Sequence, residues 1–358
     1  MTQDDREYGV GRGIGAALGL SASVVCLTAV LSGPAAAQTV EEFFKKTRVT
    51  VAIGSGPGGS HDLNCKLIAR HIGKHLPGNP TVIPQNVPGA GSLTLINHLY
   101  NAAPKDGSYF GGMQRAGVFE DLYEDKAKSR SKFDATKLNW LGSPDRITGV
   151  AIAWHTSPIK TYQDLYTKEM VVGSSGGTTT TVPLLLSTTV GFKFKVVKGY
   201  KSGGDVDLAI ERGEIDGRIP VAWGGLKSRG GDWIEGKKIV MLFQTGLSRH
   251  SDLPKLPLAL DFAKTPEDRK LMELFFSAEE IGYPYAAPPG LPADRLAAVR
   301  KAFADTMADK DFIAEAEKQK LDVNPVTWQQ MTEVITSAFA SPPQIIARLR
   351  EAIDLDNR

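Results

Sequence analysis

Hydrophobic spacing divides the chain into alternating short strands and helices. Residues 48–53 are β-branched and apolar, which predicts a strand. A glycine-rich turn follows over 54–60. Apolar residues at 63, 67, 68, 72 and 76 then recur at helical spacing. Residues 81–84 read as a strand, 88–92 as a second glycine-rich turn, and 92–101 as a helix with Leu93, Ile96 and Tyr100 on one face. A third strand is predicted at 108–113, and the polar stretch 120–131 reads as an exposed excursion. The pattern then restarts with a strand at 170–173, a Gly/Thr-rich turn at 174–181 and a helix at 183–190. A strand at 193–197, a helix at 204–212 and strands at 215–219 and 239–243 follow. The tail reads as helices over 292–307, 311–318, 328–338 and 343–353, the first opened by Pro292 after Gly290.

This alternation predicts an α/β protein with mainly parallel sheets. The unit of strand, Gly/Ser-rich turn and helix occurs near residue 50 and again near residue 170. Two such lobes facing each other enclose a cleft beyond the carboxyl ends of their strands, where ligands of open α/β sheets sit. The turns present helix N-termini, whose free N–H groups and dipole attract anions. The expected ligand therefore carries at least one carboxylate.

Composition narrows the function further. The net charge is +2 and no Lys/Arg-rich stripe occurs, so nucleic acid is not an expected partner. Arg6 and Arg12 precede an apolar stretch, and Ala35-Ala36-Ala37 precede Gln38. These features predict a signal peptide over residues 1–37 and a mature protein exported to the periplasm. Cys65 is then the one remaining cysteine, which rules out an intramolecular disulfide and fits a buried, inert thiol.

Several motifs allow competing readings. Gly54-Ser55-Gly56-Pro57-Gly58-Gly59 has the form of a dinucleotide fingerprint, but the expected acid about 20 residues on is missing. Gly173-Ser174-Ser175-Gly176-Gly177 has the form of a nucleophile elbow. A secreted α/β hydrolase with Ser175 as nucleophile, aided by Asp216 and His250, is the alternative function. The run Thr178 to Thr181 after the turn favours an anion cradle instead. Ser60-His61-Asp62 are adjacent in sequence and cannot converge as a triad does. His71 and His75 lack the glutamate of a zincin motif, so they read as two exposed histidines without a metal.

With both glycine-rich turns in place, the chain resembles the solute receptors of tripartite tricarboxylate transporters, the Bug receptors. The resemblance rests on Pro57-Gly58-Gly59-Ser60-His61-Asp62 and Asn86-Val87-Pro88-Gly89-Ala90-Gly91. It is extended by Ala103-Pro104-Lys105-Asp106-Gly107, Tyr200-Lys201-Ser202-Gly203-Gly204, Leu253-Pro254-Lys255-Leu256-Pro257 and Ala287-Pro288-Pro289-Gly290-Leu291-Pro292. It implies a type II periplasmic-binding fold, two α/β lobes around a ligand cleft, a carboxylate ligand and delivery to membrane permease subunits; a di- or tricarboxylate or an aromatic acid is expected, with no cofactor or metal. Lobe one is expected over 38–148 plus 282–358 and lobe two over 149–281, in a monomeric, non-enzymatic receptor. The expected ligand contacts are Ser55, Gly58, Gly59, Ser60, His61 and Asp62 on the first turn, and Gly89, Ala90 and Gly91 on the second. Met113 and Gln114 close the third strand, and Ser174, Ser175, Gly176, Gly177, Thr178 and Thr179 form the turn of lobe two. The turn segments 58–60 and 174–179 contain no Lys or Arg, so backbone N–H groups and hydroxyls are expected to hold the anion. Arg218 is the one cation named as a possible direct counter-ion.

Overall fold

The β-branched segment Val49–Ile53 is strand β1, and four of its five residues are buried. It lies in a computed structural model that describes residues 38–58, 60–125, 127–200, 202–229 and 231–354. The expected signal peptide falls outside these residues. Segment Thr39–Arg358 forms one compact unit. The further strands are β2 (Val82–Asn86), β3 (Tyr109–Gly112), β4 (Asn139–Ser143), β5 (Gly149–Trp154), β6 (Met170–Gly173), β7 (Phe194–Val197), β8 (Gly217–Ala222), β9 (Ile239–Thr245), β10 (Tyr285–Ala287) and β11 (Val326–Thr327). The helices are α1 (Val40–Lys46), α2 (Ser60–Ile72), α3 (Leu93–Asn101), α4 (Arg115–Val118), α5 (Glu120–Tyr123), α6 (Thr178–Thr189) and α7 (Gly203–Glu211). They continue with α8 (Trp223–Arg229), α9 (Gly231–Glu235), α10 (Pro266–Glu280), α11 (Ala293–Ala308), α12 (Lys310–Lys318), α13 (Trp328–Phe339) and α14 (Pro343–Ile353).

The strands form two sheets, ordered β11-β4-β10-β3-β1-β2 and β7-β6-β8-β5-β9. The expectation of mainly parallel sheets is corrected. β1 runs parallel to β2 and β3, and β6 to β7 and β8. β10 is antiparallel to β3 and β4, β11 to β4, and β5 to both β8 and β9. The strands at which the chain passes between sheets, β4, β5, β9 and β10, all pair antiparallel. It leaves the first sheet after β4, enters the second at β5, and returns through α10 to β10. β5 is buried at all six positions, so no alternation of polar and apolar residues announces it.

A continuous apolar cluster joins both sheets. It contains Ala52, Leu95 and Trp140 from one side and Val172, Leu186 and Phe243 from the other, bridged by Leu271 and Phe276 of α10 and Leu349 of α14. Helix α14 packs against α6, α10 and α5, so the C-terminal helix touches elements of both halves. The stretch 120–131 differs from its expected exposure at its start. Leu122 is buried, and Arg350 donates to the carbonyls of Asp121 and Leu122. Helix α6 begins at Thr178, five residues before the expected start, so the threonines form its first turn. His71 and His75 are not the exposed pair expected. Their Nε2 atoms bond Glu315 and Asp309, at 2.6 and 2.7 Å, which fastens α2 to the C-terminal region. Cys65 is buried and free, and burial pushes its thiol up to about 12.

The two crossings are laced together. Ile147 N–H donates to the Glu279 carbonyl at 3.0 Å, and Tyr283 N–H to Ser143 Oγ at 3.0 Å. Gly282 has φ +47°, and a Cβ there would lie 1.9 Å from the Asp145 carbonyl oxygen, so this close passage requires glycine. Two carboxyl groups sit at the crossings, Glu279 buried and Asp145 half-buried. Burial, aided by neighbouring Asp322, pushes Asp145 up to about 8. Burial pushes Glu279 up to about 7, against the attraction of Arg115. A raised carboxyl pKa means the folded protein keeps a proton that the unfolded chain has released, so stability falls as pH rises towards the folded value. His61 works in the opposite sense, but only between about 4 and its unfolded value near 6.5. Denaturant titrations should therefore show stability falling between about pH 6.5 and 8, by about 1–2 kcal/mol. Asp145→Asn should remove the part of the fall above about pH 7, and a fall unchanged in this variant would assign it to another group.

Candidate ligand-binding cleft

Beyond the carboxyl ends of β1, β3 and β6 lies a cavity of about 270 Å³ between the two halves. His61 enters it from the first turn of α2, and Gln114, Arg115 and Ala116 from the start of α4. Gly176, Gly177 and Thr178 face them from the N-terminus of α6, while Gly282 and Tyr283 close it from the crossing segment.

The first turn is held by the Asp62 carboxylate, which is buried. One oxygen accepts from Gly58 N–H at 2.9 Å and Lys66 Nζ at 2.8 Å, the other from Asn86 Nδ2 at 2.8 Å. Asn86 also donates to the Ser55 carbonyl. The donors of Lys66, Asn86 and Gly58 together hold the Asp62 carboxyl below its ordinary range, although burial alone would raise it. Asp62 thus binds the two glycine-rich turns to each other and spends its acceptors within the protein. The Ser55 hydroxyl is buried with no hydrogen-bond partner.

The second turn supports α4. Gly89, Ala90, Gly91 and Ser92 all have positive φ, a left-handed run that brings the buried Ser92 hydroxyl under two strand ends. Ser92 Oγ donates to the Gly54 carbonyl at 2.7 Å and accepts from Gln114 N–H at 2.9 Å. A Cβ on Gly54 would lie 2.3 Å from this oxygen, and one on Gly117 2.6 Å from the Gly91 carbonyl. Gly89, Ala90 and Gly91 do not themselves line the cavity; they seat the helix that does.

In the second lobe, Ser174 is buried and shares hydrogen bonds with Thr179 at 2.9 Å and Thr180 at 2.5 Å. Ser174 also accepts from Gly176 N–H, and Thr179 donates to the Gly176 carbonyl. These hydroxyls brace the turn, leaving Gly176, Gly177 and Thr178 to face the cavity. Gly176 and Gly177 have φ +97° and +58°, with open space beyond the Cα. The unpaired N–H groups of the first turn of α6 give this wall a positive potential. Ser175 is exposed, and among the described residues no hydrogen bond joins its hydroxyl to a histidine or carboxylate. His250 bonds Asp252 N–H at 3.0 Å and lines a different cavity, with Asp145 and Trp223. Among the described residues the elbow has no general base.

Arg115 was not among the expected contacts. It follows Gln114 directly and stands at the end of the third strand, which is the signal that could have found it. It forms no ion pair or hydrogen bond with other described residues, and its Nε is buried without a partner. Arg218, the cation named from sequence, lies elsewhere. It is buried on β8, bonds Asp207 at 2.6 Å and the Gly203 carbonyl at 3.1 Å, and does not line this cavity. Met113 is fully buried behind the cavity and donates its N–H to Pro284. Gly59 lies outside the described residues, and Ser60 opens α2. Tyr283, also missed, stacks obliquely on His61 at 5.8 Å. His61 Nε2 bonds the Gly112 carbonyl at 3.1 Å, while burial holds the imidazole pKa down to about 4.

No family model matches the sequence, and no curated protein matches it. Solved structures do match in fold. R. palustris Rpa4515 with adipate is 18% identical, covers 86% of this chain and 98% of its own, and superposes with a TM-score of 0.61. The periplasmic binding protein BugD is 16% identical over the same shares, also with a TM-score of 0.61. A TctC solute-binding protein from Polaromonas is 16% identical, again covering 86% of this chain and 98% of its own, with a TM-score of 0.63. The chain therefore has the two-lobed α/β fold of periplasmic solute-binding proteins.

Proposed function

We propose that this chain is a periplasmic solute receptor of the Bug type that closes on a small carboxylate and passes it to membrane permease subunits. The observation that carries the reading is Arg115, which makes no ion pair or hydrogen bond among the described residues, keeps its Nε buried and unpartnered, and lines the cavity together with the N-terminus of α6. A buried polar group such as this Nε costs stability unless a partner is supplied. A carboxylate supplies it, and guanidinium and helix N–H groups then bind its oxygens from opposite sides. The same fold carries adipate in Rpa4515 and malate in MatC of Rhodopseudomonas palustris, the latter with a TM-score of 0.58 at 14% identity.

Hydrogen bonds to a charged partner contribute about 1.5–3 kcal/mol each. Arg115→Gln should therefore weaken carboxylate binding about 10- to 150-fold in calorimetric titration. Unchanged affinity would contradict the assignment. The hydrolase alternative loses its support because no described histidine or carboxylate bonds the Ser175 hydroxyl. Purified protein should leave nitrophenyl esters intact, and hydrolysis abolished by Ser175→Ala would restore that reading. Mass measurement of the exported protein should place its first residue at Gln38.

A further inference from the structure

Within the carboxylate-receptor reading, on which this inference rests, His61 narrows the ligand class. Its Nε2 faces the Gly112 carbonyl at 3.1 Å, and a carbonyl can only accept, so Nε2 carries the proton. Nδ1 is then a bare lone pair. It is buried, has no partner, and belongs to a side chain that lines the cavity. We propose that the cleft selects a hydroxycarboxylate, whose carboxylate meets Arg115 and whose hydroxyl donates to His61 Nδ1.

The other groups around the ring do not answer its lone pair. The Asp62 carboxylate is an acceptor and is occupied by Lys66, Asn86 and Gly58. Cys65 Sγ approaches His61 only at Nε2, at 3.8 Å. Low imidazole basicity keeps the ring neutral at neutral pH, so Nδ1 remains an acceptor there. An amino group on the ligand would satisfy Nδ1 equally well in shape. It would bring a positive charge beside Arg115 and the α6 N-terminus, and no Asp or Glu lines the cavity to balance it. A hydroxyl donates without that cost.

A site with a buried, unpaired acceptor discriminates against an analogue that cannot donate to it, because only the hydroxylated ligand gains that hydrogen bond. The test is calorimetric titration with matched pairs: malate against succinate, citrate against tricarballylate, 3-hydroxybutyrate against butyrate, and mandelate against phenylacetate. In the tightest-binding pair the hydroxylated member should bind about tenfold or more tightly. In His61→Phe this preference, read as the ratio within the pair, should fall below about threefold. If that variant fails to fold, the 15N resonance of Nδ1 in the wild-type protein gives the answer. It should move on saturation with the hydroxylated member and stay in place with the deoxy one. Equal affinities within pairs, a preference that survives His61→Phe, or an unmoved Nδ1 resonance would overturn the selection while leaving a carboxylate receptor. Failure of every member of every pair to bind would overturn both.

Discussion

The site depends on a single hydroxyl. Ser92 Oγ donates to the end of β1 at Gly54 and accepts from Gln114 at the end of β3. Two strand ends and the second turn are thereby fixed at one point, and α4 starts there with Arg115 as its first residue. To place the hydroxyl, the chain holds Ala90 and Ser92 at φ values of 46° and 79°, each a left-handed conformation that disfavours a residue with a Cβ by about 1–2 kcal/mol. Buried hydrogen bonds offset such strain when both partners are fully paired, as they are here. Asp62 repeats the logic one layer out by joining the first turn to Asn86.

This arrangement explains why the cleft is built from turns yet is well defined. The first-turn and second-turn segments brace each other and α4 with side chains that face away from the cavity. What remains facing it is a sparse set: a guanidinium, the Gln114 amide, a neutral imidazole, a tyrosine and the start of a helix. Arg115 and the α6 N-terminus come from different sheets, so a ligand bound to both must hold the halves together. The shared apolar cluster and α14, which packs on α5, α6 and α10, restrict how far the halves can separate.

Much of the fold was legible because helices α2, α3 and α6 and strands β1, β6 and β7 carry their periodicity in consecutive residues. β5 was not, since burial on both faces erases alternation, and the antiparallel pairing of β10 depends on where the chain returns from the second sheet. The site was legible at the level of segments. His61, Gln114, Gly176, Gly177 and Thr178 do line the cavity, but Ser174, Asp62 and Thr179 are absorbed into bracing that only the three-dimensional contacts reveal. Arg218 was named because it is a cation on a strand, and Asp207, a helix away, neutralises it. Tyr283 was invisible for the opposite reason, being brought beside His61 by the return crossing rather than by any local motif.

On the reading proposed above, a carboxylate is held between Arg115 and the N-terminus of α6. A crystal structure of the protein with its tightest-binding carboxylate tests this most directly. The account predicts one carboxylate group within hydrogen-bond distance of the Arg115 guanidinium and of backbone N–H groups among Gly177, Thr178 and Thr179. A ligand seated instead in the neighbouring cavity, against Trp223 and His250, or one leaving Arg115 unpaired, would contradict it.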